Sequence, residues 1–188
     1  MTRTERVFLV RPSIEEDRPE INFGRPENKK TDWLLVDQVL RGERREEDYP
    51  SILVLVDHPE AERWDYYSVA GTCGLMSQRA VDLLEPYALP YFKFFQAWLN
   101  GASFFFPKRI HTLDCLDRQR SILVPFRTDP THVKEIKRYR FRMESIIDPV
   151  LFSIPEVPSM FASQTIERLV RERELRGFGF VDTMEHSD

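Results

Sequence analysis

The sequence predicts an α+β fold, a single compact domain with a mixed or antiparallel sheet and a few short helices. Three observations carry that prediction. Apolar runs short enough to be strands are interspersed with segments of helical period. The two do not alternate regularly, as the crossovers of an α/β sheet would require. The length of 188 residues suits one core with at most a small attachment. The chain also holds 14 Phe but only 7 Gly, so there is much aromatic bulk to bury and little material for phosphate-cradling loops or repeat arrays. With 41 % apolar and 31 % charged residues, it fits neither a disordered tail nor a membrane protein.

Residues 1–50 are expected to supply a strand, a loop and a helix packed on the core. Residues 7–10 (Val-Phe-Leu-Val) are apolar throughout and read as the first strand. Residues 11–30 carry Arg11-Pro12, Arg18-Pro19 and Arg25-Pro26. They read as loop, because each Pro removes a donor and pushes its predecessor into extended geometry. Asp32 is placed to cap a helix bearing Leu35, Val36, Val39 and Leu40 on one face, ended by Gly42. After a polar break at residues 43–48, residues 51–56 (Ser-Ile-Leu-Val-Leu-Val) are continuous enough for a strand buried on both faces.

Ser77 is placed to cap a second helix with Ala80, Val81 and Leu84 at helical spacing, and Pro86 is expected to stop it. Nine aromatics crowd residues 87–106 around the turn signal Asn100-Gly101. Residues 121–126 read as a strand. A helix is expected to start at Asp129-Pro130 and carry Val133 and Ile136. Residues 138–143 then alternate Arg138, Arg140 and Arg142 with Tyr139, Phe141 and Met143, which predicts a half-buried strand. Residues 151–154 form a short strand. Ser163 is placed to cap a last helix with Ile166, Leu169 and Val170 inward and Gly177 as its stop, before a final strand at residues 178–181.

The charge is uneven. Residues 1–70 hold 16 acidic and 11 basic side chains, whereas residues 71–188 hold 15 and 16. An acidic front and a net charge of −4 disfavour nucleic acid as a partner and suit a basic protein surface. Two cysteines, Cys73 and Cys115, are too few for a secreted disulfide framework. No signal peptide and no run of roughly 18–20 apolar residues is visible, so the expected location is cytoplasmic, without a membrane.

Chemistry-bearing residues are few. His111-Thr-Leu-Asp-Cys115 would put His111 and Cys115 on one helical face as a nucleophile with its base. The plainer reading is a buried thiol and a surface imidazole. No short ligand pair for zinc, no P-loop, no dinucleotide fingerprint and no hydrolase elbow occurs. The expectation is therefore no enzyme, no cofactor and no metal. Arg138, Arg140 and Arg142 could hold phosphates, although a charged row on a strand more often protects an edge. For protein binding, the acidic front offers Glu43, Glu46, Glu47, Asp48, Asp57 and Glu62. Trp33, Trp64, Asp65, Tyr66 and Tyr67 add the mixture of large aromatics and carboxylate found at interface centres. Ordinary solvation and packing are the alternatives.

From residue 51 onward the order of several segments resembles a family of bacterial immunity proteins from polymorphic toxin systems, first described from a myxobacterial protein. Ser77-Gln-Arg-Ala-Val-Asp-Leu-Leu-Glu-Pro86 is similar to its Ala-x-x-Leu-Leu-x-Pro helix, and Leu151-Phe-Ser-Ile-Pro-Glu156 to its Leu-Phe-x-Leu-Pro strand. The stretch from His111 to Ser121 is similar to its acidic-then-Ser segment. The ending, Met160-Phe-Ala-Ser-Gln-Thr-Ile-Glu-Arg-Leu-Val and then Leu175-Arg-Gly-Phe-Gly-Phe180, resembles its strand, capped helix and Leu-x-Gly-x-x-Phe finish. The resemblance covers roughly 130 residues, leaves out the first 50, and sets residues 51–184 apart as the immunity-protein-like core. It implies a protein without catalytic residues that binds the effector domain of a cognate toxin, encoded by an adjacent gene, in the producing cell. With the expected cytoplasmic location, the toxin's target would lie in the cytoplasm, which suits a nuclease or a nucleotide- or protein-modifying enzyme.

Overall fold

In a computed structural model that describes residues 2–13, 52–54, 63–67, 74–99 and 102–184, the first apolar run becomes a central strand of a four-stranded antiparallel sheet. β1 (Thr2–Arg3) and β2 (Val7–Pro12) are followed by β3 (Ile52–Val54), β4 (Tyr66–Tyr67) and β5 (Leu75–Ser77). Then come helix α1 (Gln78–Ala88), β6 (Phe92–Leu99), β7 (Ala102–Arg109), β8 (Ile122–Pro125) and β9 (Val133–Arg138). A single 3-10 turn (Met143–Ser145) leads to β10 (Ile147–Asp148), β11 (Leu151–Ser153), β12 (Met160–Ser163), helix α2 (Gln164–Glu172) and β13 (Phe178–Asp182).

The four-stranded sheet has the order β11-β12-β2-β13, with Leu9 opposite both Phe161 and Val181. A five-stranded sheet has the order β3-β6-β7-β5-β4, and its β3–β6 pair is parallel. Two-stranded pairs β1-β10 and β8-β9 complete the described strands. The fold is thus α+β with mixed sheets, as the irregular order of elements predicts.

Burial explains why the four-stranded sheet reads as continuous apolar runs. Along β2, Val10 joins a core with Tyr66, Leu84, Phe92, Ile166 and Val170, while Val7 and Leu9 join a second core with Cys115, Leu116, Tyr139 and Ile146. The period-two alternation repeats in β11 and β12, where Leu151 and Ala162 face the first core, and Phe152 and Phe161 the second. A sheet covered on both faces needs no polar side, so the apolar–polar alternation of a one-sided sheet is absent. Phe152 and Phe161 stack at 5.7 Å, with Phe141 edge-on to both at 6.3 and 5.7 Å. Much of the abundant Phe is therefore core.

The helices form where expected but end differently. Ser77 Oγ accepts from the Ala80 backbone N–H at 3.1 Å, an N-cap for α1. Pro86 lies inside α1, which continues to Ala88. Pro86 and Asp82 are both on the exposed side, so the carbonyl left without an N–H partner can be hydrated. Ser163 occupies the N-cap position of α2, but its Oγ accepts from Val150 N–H at 3.0 Å. The first helical N–H groups instead reach Thr4 Oγ1 and Asp148 Oδ1, each at 3.3 Å. Gly177 does not stop α2: the helix ends at Glu172, Glu174 takes φ 52°, and Gly177 (φ 91°) shapes the turn into β13.

Two further expectations are corrected at β9. No helix covers residues 129–136; β9 runs through residues 133–138 instead. Asp129 uses its carboxylate for a turn, accepting from Thr131 N–H at 3.1 Å and sitting 2.7 Å from His132 Nδ1. That is the conformation in which Asp competes with helix. A register shift between the Val124–Glu135 and Pro125–Val133 pairs adds a residue to β9. The resulting bulge explains how Val133 and Ile136, three apart, both face the second core. Residues 139–143 keep the predicted facing of Tyr139, Phe141 and Met143, but pair only through one bridge, Leu116 with Phe141. The expected helix at residues 32–40, the ends of the strand at residues 51–56 and the Asn100-Gly101 turn lie outside the described residues, the last between paired Leu99 and Ala102.

At Gly177 an added Cβ would lie 2.3 Å from the Tyr66 carbonyl oxygen, and the positive φ itself disfavours any side chain. Gly177→Ala is expected to lower stability by about 3 kcal/mol, read as a fall in the urea midpoint.

Candidate partner-binding surface

Of the residues expected to anchor a partner, Trp64, Asp65, Tyr66 and Tyr67 lie inside the fold, each 4 % exposed or less. Trp33, Glu43, Glu46, Glu47, Asp48, Asp57 and Glu62 lie outside the described residues. Trp64, Asp65 and Tyr66 form the seam between the two large sheets, while Tyr67 packs on Phe104 within the five-stranded sheet at 5.9 Å. Asp65 Oδ1 accepts from Ser77 Oγ at 2.7 Å, and Oδ2 accepts from the Arg176 backbone N–H at 2.9 Å, with Arg79 Nη1 3.8 Å away. The Arg176 guanidinium lies over the Trp64 ring at 5.9 Å. Tyr66, on an edge strand of the five-stranded sheet, stacks on Phe178 of β13 at 4.6 Å. With so little surface, these four pack the fold and present no face to a partner.

The thiol–imidazole pair is not assembled. Residues 111–115 are irregular rather than helical, Cys115 is fully buried, and His111 is exposed. Burial pushes the Cys115 thiol up to about 12, with Glu156 and Asp114 adding to the rise and Arg142 opposing it. A thiol held in its protonated form is a core residue rather than a nucleophile. The charges around it are mutually engaged. Arg118 lies 3.1 Å from Asp114 and 2.5 Å from Glu156, the latter close but not aligned as a hydrogen bond. Arg142 donates to the Leu116 and Asp114 carbonyls at 3.1 and 2.6 Å. Among the described residues no three His, Cys, Asp or Glu side chains converge as metal ligands would.

Arg138, Arg140 and Arg142 do not form one row. Arg142 is tied to the Cys115 loop, and Arg140 Nη1 donates to the Tyr139 carbonyl at 3.0 Å. Arg138 faces a groove of about 630 Å³ that runs beside β9. Residues 134–139 all contribute to its wall, joined by Arg11 from the end of β2, Ile122 from β8, and Val157 and Ser159 from the loop before β12. Five successive residues of β9 (134–138) and Tyr139 just after it line this cleft, together with Ile122, the register partner of Arg138 on β8. Four cations (Arg11, Lys134, Lys137, Arg138) and one carboxylate (Glu135) surround it.

Helical spacing of Val133 and Ile136 hides this surface in the sequence. The signal that could have revealed it is Asp129-Pro130-Thr131, a turn sequence standing between two β-rich runs.

Compared with known families, residues 5–185 match the model of an immunity protein family, Imm11. The match takes in residues 5–50, which the resemblance read from the sequence left out. No curated protein matches the chain.

Two outcomes test the geometry. Asp65→Asn sets an amide N–H₂ or a weaker acceptor against the Ser77 and Arg176 donors. It is expected to cost about 2 kcal/mol in urea unfolding, without change in the slope of the transition. In a Cys73→Ser background, Cys115 should resist alkylation by iodoacetamide at pH 8 in the native protein and react fully in urea, as mass spectrometry would count. Because burial in the fold raises the thiol from its ordinary value of 9.0 to about 12, the native state holds the proton more tightly. This contribution is complete below about pH 9 and is lost as pH rises towards 12. The stability advantage of the native sequence over Cys115→Ala should shrink across that window.

Proposed function

Because the chain belongs to the Imm11 immunity protein family, we propose that it neutralises a cognate bacterial toxin by binding the toxin's effector domain in the cytoplasm of the producing cell, without catalysis of its own. The observation that carries this reading is the family match over residues 5–185. The inert, buried Cys115 supports its non-enzymatic part, since the cluster that most resembled a catalytic one serves the core.

Neutralisation by binding needs an interface of order 1,500 Å² with a few strong anchors and complementary charge. The acidic front meets the second requirement. Glu43, Glu46, Glu47, Asp48, Asp57 and Glu62 belong to the section with 16 acidic against 11 basic side chains. An acidic face suits the basic substrate cleft of a nuclease or of another enzyme acting on anions, and would occupy that cleft in place of substrate. Among the described residues, no helix is long and apolar enough to cross a membrane.

Co-expressed with the effector domain encoded next to it, the protein should co-purify one to one and restore growth. Replacing Glu43, Glu46, Glu47 and Asp48 by Lys should slow association roughly tenfold or more at low salt, with the urea midpoint unchanged. No complex and no rescue with any adjacent toxin candidate would overturn the proposal.

A further inference from the structure

We propose that the outer edge of β9 is a docking site for an extended, acidic segment of the toxin's effector domain, which adds a strand beside it. The inference rests on the toxin-binding reading and names a contact that reading does not.

The first support is the state of the strand. Among the described residues, β9 has one neighbour, β8. The backbone of residues 134–137 makes no hydrogen bond outside that ladder. Backbone N–H and C=O groups of residues 134–137 that do not face β8 are therefore left without a partner among the described residues, and the same residues line the groove of about 630 Å³. A free edge beside a groove is what an incoming extended segment requires: main-chain bonds supply affinity and flanking side chains supply selection.

The second support is charge. Arg11, Lys134, Lys137 and Arg138 border the groove, and among the described residues none of them forms an ion pair. Arg118 and Arg142, by contrast, are both engaged with Asp114. Arg138 also keeps its Nε buried without an acceptor. Buried donors in this state are uncommon, and a carboxylate arriving at the guanidinium from the groove would give this side chain its missing counter-charge. Ile122, 44 % exposed at one end of the groove, offers an apolar contact for an alternate side chain of the segment.

The same charges argue against other occupants. A second copy pairing edge to edge would set Lys134, Lys137 and Arg138 against their own counterparts, and like charges directly opposite are destabilising. A nucleic-acid strand has no alternating donors and acceptors to match a β edge, and Glu135 opposes it.

Fluorescence anisotropy of the full chain with a labelled acetyl-(Glu-Val)4-amide peptide tests the proposal, with the (Lys-Val)4 peptide as control. The acidic peptide should bind, the basic one should not, and amide hydrogen exchange should slow across residues 133–138. Lys134→Glu with Lys137→Glu, both exposed positions, should weaken the acidic peptide at least tenfold and admit the basic one. No binding, equal binding of both peptides, or protection away from β9 would overturn the edge site. So would displacement of the peptide by a single-stranded oligonucleotide, or a dimer that the peptide does not dissociate. None of these outcomes involves the toxin, so failure here leaves the toxin-binding reading to the co-expression experiment.

Discussion

The carboxylate of Asp65 is 4 % exposed with its residue and ties its own segment to two others, at residues 77–79 and at Arg176. One oxygen takes the Ser77 hydroxyl, which itself caps α1. The other takes the Arg176 N–H in the turn before β13, and Arg79 stands beside it. Arg79 in turn donates to the Arg173 and Glu174 carbonyls just past α2. Both helices and an edge strand of each large sheet thus meet at one charged group. Burying a carboxylate is costly unless its lone pairs are filled, so these donors must all arrive together. The seam accordingly has one geometry, closed around it by the Tyr66–Phe178 stack and the tight approach of Gly177 to Tyr66.

That seam explains which parts of the molecule were legible in the sequence. Local signals carried well where one residue type has one use. Ser77 capping α1, the apolar runs of β2 and β11, and the inward facing of Tyr139, Phe141 and Met143 are of this kind. Signals failed where the decisive partner is remote. Trp-Asp-Tyr-Tyr at residues 64–67 has the composition of an interface centre, and only the arrival of Arg176 and Phe178 makes it an interior one. Val133 and Ile136 keep a helical interval because a bulge, invisible in sequence, restores their common facing. Ser163 sits before a helix yet bonds Val150 across a strand pair.

For the candidate surface, the outcome divides by charge. The acidic side chains that suggested a basic partner lie largely in the front section, where composition alone speaks. The basic side chains beside β9 were hidden by a mistaken periodicity, and the fold gathers Arg11 to them from the far end of the sequence.

The placement of β2 has a temporal consequence. Its neighbours on the two sides are β12 and β13, so the strand pairs with segments that follow it by about 150 residues or more. During synthesis, Val7, Leu9 and Val10 emerge from the ribosome long before Phe161 or Val181 exists to cover them. Contacts of such sequence separation are slow to close. A nascent chain that has not yet reached β12 and β13 therefore lacks the sheet that organises both cores.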